Sequence, residues 1–289
     1  MKKSDKLTVY IVGTAYSGST LIGSALNSHS RMLYVGEINR IPAYIKQYNH
    51  SKHPASCTNC LITDQQCKIF SEKNIQKIGN MSPIKTFDYI RKITQKPIVI
   101  DGSKLIDWLR VSTSKDLSDQ TKVIILTKNP VSYLQSCKQR GIEPLWAEAN
   151  AWRDTYFDAM RTCSRLGLPC LVVRLEDFLR APERVLRQVC GFVGEGFEKR
   201  MLEAKMPLHA IGGNPGAYLG YVDKKILVNR YEEMGQKEFD INPMRLKTKL
   251  VSKLQSRKNL RAIQNLTLET PGLIDIATQL GYVYSDFLD

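Results

Sequence analysis

The stretch from Val9 to Thr20, Val-Tyr-Ile-Val-Gly-Thr-Ala-Tyr-Ser-Gly-Ser-Thr, narrows the folds open to this chain more than any other. Its first four residues are apolar and β-branched or aromatic, the composition of a buried strand. Gly13 opens a turn of small residues, and from Ser19 onward Leu21, Ile22, Ala25 and Leu26 carry the spacing of a helix with one apolar face. A strand, a glycine loop and a helix in that order aim backbone N–H groups and a helix N-terminus at one point, where a phosphate or sulfate binds. Gly13 and Gly18 keep the spacing of the nucleotide-binding P-loop, but Ser19 stands where that loop has its lysine. The hydroxyls of Ser17, Ser19 and Thr20 and the loop backbone remain as anion ligands.

Further along, apolar runs alternate with helical spacings. Met32 to Val35 is a short extended piece ending at Gly36-Glu37, and Ile38 to Tyr48 reads as helical despite Pro42. Residues 49–81 are polar, carry cysteines and lack periodicity, and are read as an insertion covering a site. Ile84 to Thr94 has helical spacing, and Pro97 to Ile100 is a strand ending at Asp101. A strand from Lys122 to Thr127 leads into a helix with Pro130 in its first turn, reaching about Arg140. Helices over Leu145–Leu166 and Pro182–Val193, with a strand from Cys170 to Leu175 between them, continue the alternation. Gly212 to Gly216 reads as a flexible loop, and Leu273 to Leu280 as a closing helix. The expectation is a single α/β domain over 1–289, a three-layer sandwich with a central, mostly parallel sheet flanked by helices. Ligands in such sheets sit beyond the carboxyl ends of the strands. Gly13 to Thr20, Asp101 to Lys104 and Lys128 to Ser136 all lie at such ends.

The formal charge of +14 fits an anionic partner. The basic residues are spread along the chain, with a mild cluster from Lys247 to Arg261, which does not favour nucleic-acid binding. No apolar run approaches the roughly 20 residues that cross a bilayer, and no signal peptide is evident, so a soluble cytoplasmic protein is expected.

Cys57, Cys60 and Cys67 follow His50 and His53, and three thiols with one histidine can hold zinc. A single C-x-x-C is a weak signal, and unpaired thiols in a loop, the heavier reading, or a disulfide are open as well. Cys137, Cys163, Cys170 and Cys190 read as small buried hydrophobes.

Taken together, the motifs resemble the sulfotransferases that use 3′-phosphoadenosine 5′-phosphosulfate. Tyr16-Ser17-Gly18-Ser19-Thr20-Leu21 looks like their 5′-phosphosulfate loop, and Lys128-Asn129-Pro130 followed by Ser136 like their 3′-phosphate motif. Gly36-Glu37-Ile38-Asn39-Arg40 is similar to the segment that supplies the catalytic glutamate in tyrosylprotein and some bacterial members. Asp101-Gly102-Ser103-Lys104 resembles their strand-end serine-lysine pair. The segment from His209 to Asn214 and the cysteine-bearing insertion resemble bacterial members. The resemblance spans roughly residues 7–216.

It implies Glu37 as the base that deprotonates a hydroxyl or amine acceptor and Lys104 as the cation that stabilises the transition state, without a metal. Tyr16, Ser17, Gly18, Ser19, Thr20, Lys128 and Ser136 would hold the donor, and Arg40 and His209 would face a small-molecule acceptor. Tyr16 stands where the family carries Arg or Lys, and Lys128 where it carries Arg. Lys104, Arg40 or the Tyr16 hydroxyl are the candidate replacements for the first. Two other classes remain open: a small-molecule kinase using ATP, with Asp101 on magnesium, and a non-catalytic basic anion-binding protein.

Overall fold

Odd and even positions of the apolar runs part onto two faces, and this alternation builds the layers. The computed structural model describes residues 6–42, 45, 57, 60, 66–203, 208–213 and 258–288, with only the backbone at 115 and 116. Five strands form one sheet: β1 (Leu7–Val12), β2 (Met32–Gly36), β3 (Ile98–Lys104), β4 (Thr121–Thr127) and β5 (Cys170–Arg174). All are parallel, in the order β2-β3-β1-β4-β5. The expected mostly parallel sheet is thus wholly parallel.

Leu7, Val9 and Ile11 of β1 face one side with Ile98 and Ile100 of β3 and Ile124 and Leu126 of β4. Against them pack Ile22, Ala25 and Leu26 of α1 (Ser19–Asn27), together with Val185, Leu186 and Val189 from a later helix. Tyr10, Val12, Val99, Val123 and Ile125 face the other side, with Phe87, Ile90, Leu134, Trp152 and Tyr156 over them. Because both faces are covered, the strands read as unbroken apolar runs.

The described helices beyond α1 are α2 (Glu72–Gly79), α3 (Pro83–Thr94), α4 (Ile106–Ser112), α5 (Pro130–Gln139), α6 (Leu145–Leu166), α7 (Leu175–Arg180) and α8 (Pro182–Val193). A helix over 258–269, α9, and α10 (Leu273–Gln279) close the chain. The expected boundaries of α6 and α8 coincide with these. In α5, Asn129 caps the first turn by accepting from Val131 N at 2.9 Å and Ser132 N at 3.3 Å, with Pro130 at the first helical position.

Several expectations need correction. The 49–81 segment, read as lacking periodicity, contains α2, whose N-cap Ser71 accepts from Asn74 N at 3.4 Å and which buries Ile75 and Ile78. Two apolar residues on an otherwise polar helix are too few to make a periodic signal. Strand β3 runs to Lys104, three residues past Asp101, because Asp101 and Ser103 are buried polar residues satisfied within the strand end. Cys170 is exposed, unlike Cys137, Cys163 and Cys190. The helix expected over Ile38–Tyr48 begins as a 3₁₀ turn at Ile38–Arg40; its positions 43–44 and 46–48 lie outside the described residues. So do His50, His53, residues 214–216 of the glycine-rich loop and 247–257 of the basic cluster. Among the described residues, no helix is long and apolar enough to cross a membrane.

Candidate active site

Strand β1 lies between β3 and β4, so the connections leaving β1 and β4 pass to opposite sides of it. Crevices at the carboxyl edge of a parallel sheet open where the strand order reverses in this way. Gly18 takes the left-handed conformation (φ +88°), which turns the loop into α1, and its carbonyl accepts from Leu21 N at 2.9 Å and Ile22 N at 3.1 Å. From below, the buried Tyr156 hydroxyl donates to the Leu126 carbonyl at 3.0 Å and lies 3.3 Å from the Thr14 hydroxyl, tying the loop to the end of β4. The Ser17 hydroxyl is buried inside the loop without a hydrogen-bond partner. Buried polar groups are nearly always satisfied, so an orphaned hydroxyl in an anion-binding loop fits a ligand that completes it.

Tyr16 and Lys104 have positive φ (62° and 67°), uncommon for residues with a side chain. Such conformations cost energy and collect at functional sites. Both lie on this crevice. Lys104 ends β3 beside β1, and its carbonyl accepts from Gly13 N at 3.4 Å, so β3 and the glycine loop meet there. The Lys104 ammonium reaches Glu37 Oε1 at 2.5 Å, and Arg40 Nε pairs with Glu37 Oε2. Glu37 is 5% exposed, whereas the Arg40 side chain is 53% exposed. Both carboxylate oxygens therefore accept from cations, one buried in the crevice and one at its mouth. A buried carboxylate held in this way is costly to strip of a partner.

Two backbone bonds fix Glu37 further. Its N–H donates to the Ile211 carbonyl at 2.6 Å, and Ile211 N donates to Val35 O at 3.0 Å. The segment 208–213 thus continues the sheet edge beside β2. Gly36 permits this approach: its φ is +74°, and a Cβ there would lie 2.2 Å from the Ile211 oxygen. Asn39 N donates to the Ser103 hydroxyl at 3.3 Å, which joins the Glu37 turn to the end of β3.

Asp101 does not face the loop. Its Oδ1 accepts from Ser103 N at 3.0 Å and Ser103 Oγ at 2.5 Å, and its Oδ2 from Trp108 Nε1 at 2.6 Å. Burial raises its carboxyl to about 6, with the Ser103 and Trp108 bonds pulling the other way. Both oxygens serve the protein, which leaves the magnesium role considered for Asp101 without support.

On the other side of the loop, Lys128 Nζ donates to Ser136 Oγ at 2.6 Å, so the eight-residue offset brings the pair together. Trp152 Nε1 donates to the Lys128 carbonyl at 3.0 Å and sets the end of β4. Arg140 was not singled out from the sequence. Its guanidinium lies 4.3 Å from the centre of the Tyr16 ring and donates to Ser136 O at 2.8 Å. It is four residues after Ser136, the helical spacing that puts two residues on one face. A guanidinium from the end of α5 therefore stacks on the loop at Tyr16.

His209 gathers with the cysteines of the insertion. Its Nδ1 points at three thiols, 3.7 Å from Cys57 Sγ, 3.3 Å from Cys60 Sγ and 3.5 Å from Cys67 Sγ. Long-range contacts of this kind leave no local spacing in the sequence, whose neighbouring candidates were His50 and His53.

No protein-family model matches the chain, and no curated protein matches it. Among solved structures, the sulfotransferase domain from the curacin biosynthetic pathway is similar at TM-score 0.55 and 18% identity, covering 85% of this chain and 98% of that one. The sulfotransferase domain from the Synechococcus PCC 7002 olefin synthase is similar at TM-score 0.56 and 18% identity, covering 84% of this chain and 98% of that one. Likeness at this level of identity bears on architecture alone: the chain shares the fold of these sulfotransferase domains.

Proposed function

We propose that this protein transfers a sulfuryl group from 3′-phosphoadenosine 5′-phosphosulfate to a hydroxyl or amine of a small-molecule acceptor. The observation that carries this reading is the buried Glu37 carboxylate on Lys104, whose own carbonyl is bonded to the first residue of the glycine loop. A base and a cation are thereby held at the mouth of an anion cradle.

When bound, the nucleotide supplies the sulfuryl group and departs as adenosine 3′,5′-bisphosphate. Backbone N–H groups and hydroxyls from Ser17 to Thr20 hold its 5′ end, the orphaned Ser17 hydroxyl among them. Lys128 and Ser136 hold the 3′-phosphate, with Arg140 beside them. Glu37 accepts the proton of the acceptor as its oxygen or nitrogen bonds to sulfur. Lys104 faces the negative charge that grows on the leaving oxygen, a role supported by its bond to Glu37. Arg40, half in solvent, borders the opening through which an acceptor reaches Glu37.

Thermal unfolding with candidate nucleotides tests the donor. Ligands that bind only the native state raise its melting temperature. Adenosine 3′,5′-bisphosphate should stabilise the protein more than 5′-AMP, because only the former has a phosphate for Lys128 and Ser136. A shift with ATP and magnesium but none with the bisphosphate overturns the reading.

A further inference from the structure

Cys57, Cys60, Cys67 and His209 form a cluster that the proposed reaction does not use. Their ligand atoms all lie within 4.8 Å of one another, and the three cysteines are 0%, 3% and 7% exposed. Three buried, polarisable thiols and a half-buried imidazole gathered at one point have the chemistry of a metal centre rather than of a packed core.

The geometry is specific. Tetrahedral zinc has arms of about 2.3 Å to sulfur and about 2.05 Å to nitrogen, which places sulfur and nitrogen roughly 3.6 Å apart. The three sulfur-to-nitrogen distances are 3.7, 3.3 and 3.5 Å. They bracket that value, and one donor atom stands near all three others, as at the corner of a tetrahedron. Phe70 N donates to Cys67 Sγ at 3.2 Å, the kind of outer bond that steadies a ligating thiolate.

We infer that Cys57, Cys60, Cys67 and His209 bind one zinc ion as a closed structural site. With four protein ligands it keeps no open position for substrate. The site joins parts of the chain 142 to 152 residues apart. Cys57 and Ile211 form an antiparallel bridge, and Ile211 bonds both Val35 and Glu37. Zinc would thus pin the cysteine-bearing insertion to the same short segment that holds the backbone of Glu37. The inference does not depend on which reaction the protein catalyses.

The test is metal analysis of the full chain, purified under reducing conditions without chelators. The expected result is about one zinc per chain, with Cys57, Cys60 and Cys67 protected from alkylation until the metal is removed. Replacement by cobalt should give the intense visible bands of a tetrahedral thiolate site. His209→Cys should keep the metal and shift those bands toward a four-thiolate spectrum, while Cys60→Ser should lower metal affinity at least about tenfold. Should these variants fail to fold, metal content and thiol protection of the unaltered protein still decide. A chain that takes up no zinc on reconstitution, or whose cysteines prove joined in a disulfide, overturns the inference. So does an unchanged zinc affinity in a folded Cys60→Ser protein.

Discussion

The two sides of the crevice are built differently. On the donor side, Ser17 to Thr20 follow one strand and Lys128 to Ser136 another, and each group is assembled by a single strand-to-helix turn. On the glutamate side, Glu37 depends on Lys104 from β3, Arg40 from its own turn, and Ile211 from a segment far along the chain. The donor groups are therefore close in sequence, although Tyr156 and Trp152 of α6 brace them, whereas the glutamate side is a junction of segments far apart in the chain.

The largest effect should come from the junction. Glu37→Gln removes the base but keeps the shape, and should lower kcat by about 10²–10⁴-fold with little change in donor binding, as initial rates of bisphosphate release would show. A comparable loss in nucleotide affinity would mean that the two sides are not separate.

Glycine substitutions compare the sides directly. Gly36→Ala drives a Cβ to 2.2 Å from the Ile211 backbone oxygen, which cannot move without breaking the Glu37 bond. Gly18→Ala meets the Leu175 Cδ1 at 2.6 Å, the end of a side chain that can turn away. Both positions have positive φ, so both lose stability, by about 3 kcal/mol or more at Gly36 and about 1–2 kcal/mol at Gly18 in denaturant unfolding. The reverse order would break the contrast.

Asp101 adds a pH signature on the junction side. Its carboxyl titrates near 3.8 in the unfolded chain and at about 6 in the native protein. Between those values the native state holds a proton that the unfolded state releases. Stability from this group is accordingly full below pH 3.8 and lost as pH rises through about 6, by roughly 3 kcal/mol at most. Asp101→Asn should flatten the stability profile across that window whatever it does to the absolute value.

A smaller effect than that at Glu37 is expected in nucleotide binding. Lys128→Ala should weaken adenosine 3′,5′-bisphosphate by about 2 kcal/mol, roughly 30-fold, and leave 5′-AMP nearly unchanged in calorimetry. Equal losses for both nucleotides would move Lys128 away from the 3′-phosphate.

This contrast also explains what could be read before the structure. The sequence alone determined the elements whose cause is local. Unbroken apolar runs specified β1 and β4, Gly18 specified the turn into α1, and Asn129-Pro130 specified the start of α5. Lys128 and Ser136 fall together because eight residues span one turn and the start of one helix. Tertiary structure alone decided the pairings across long stretches of chain. Nothing local in Ile211 says that it bonds Glu37, nothing in His209 that it meets Cys57, Cys60 and Cys67, and nothing in Arg140 that it stacks on Tyr16. Hydrophobic periodicity and turn chemistry act over a few residues and leave a pattern in the sequence. Contacts between segments a hundred or more residues apart depend on how the layers pack, which no local pattern records.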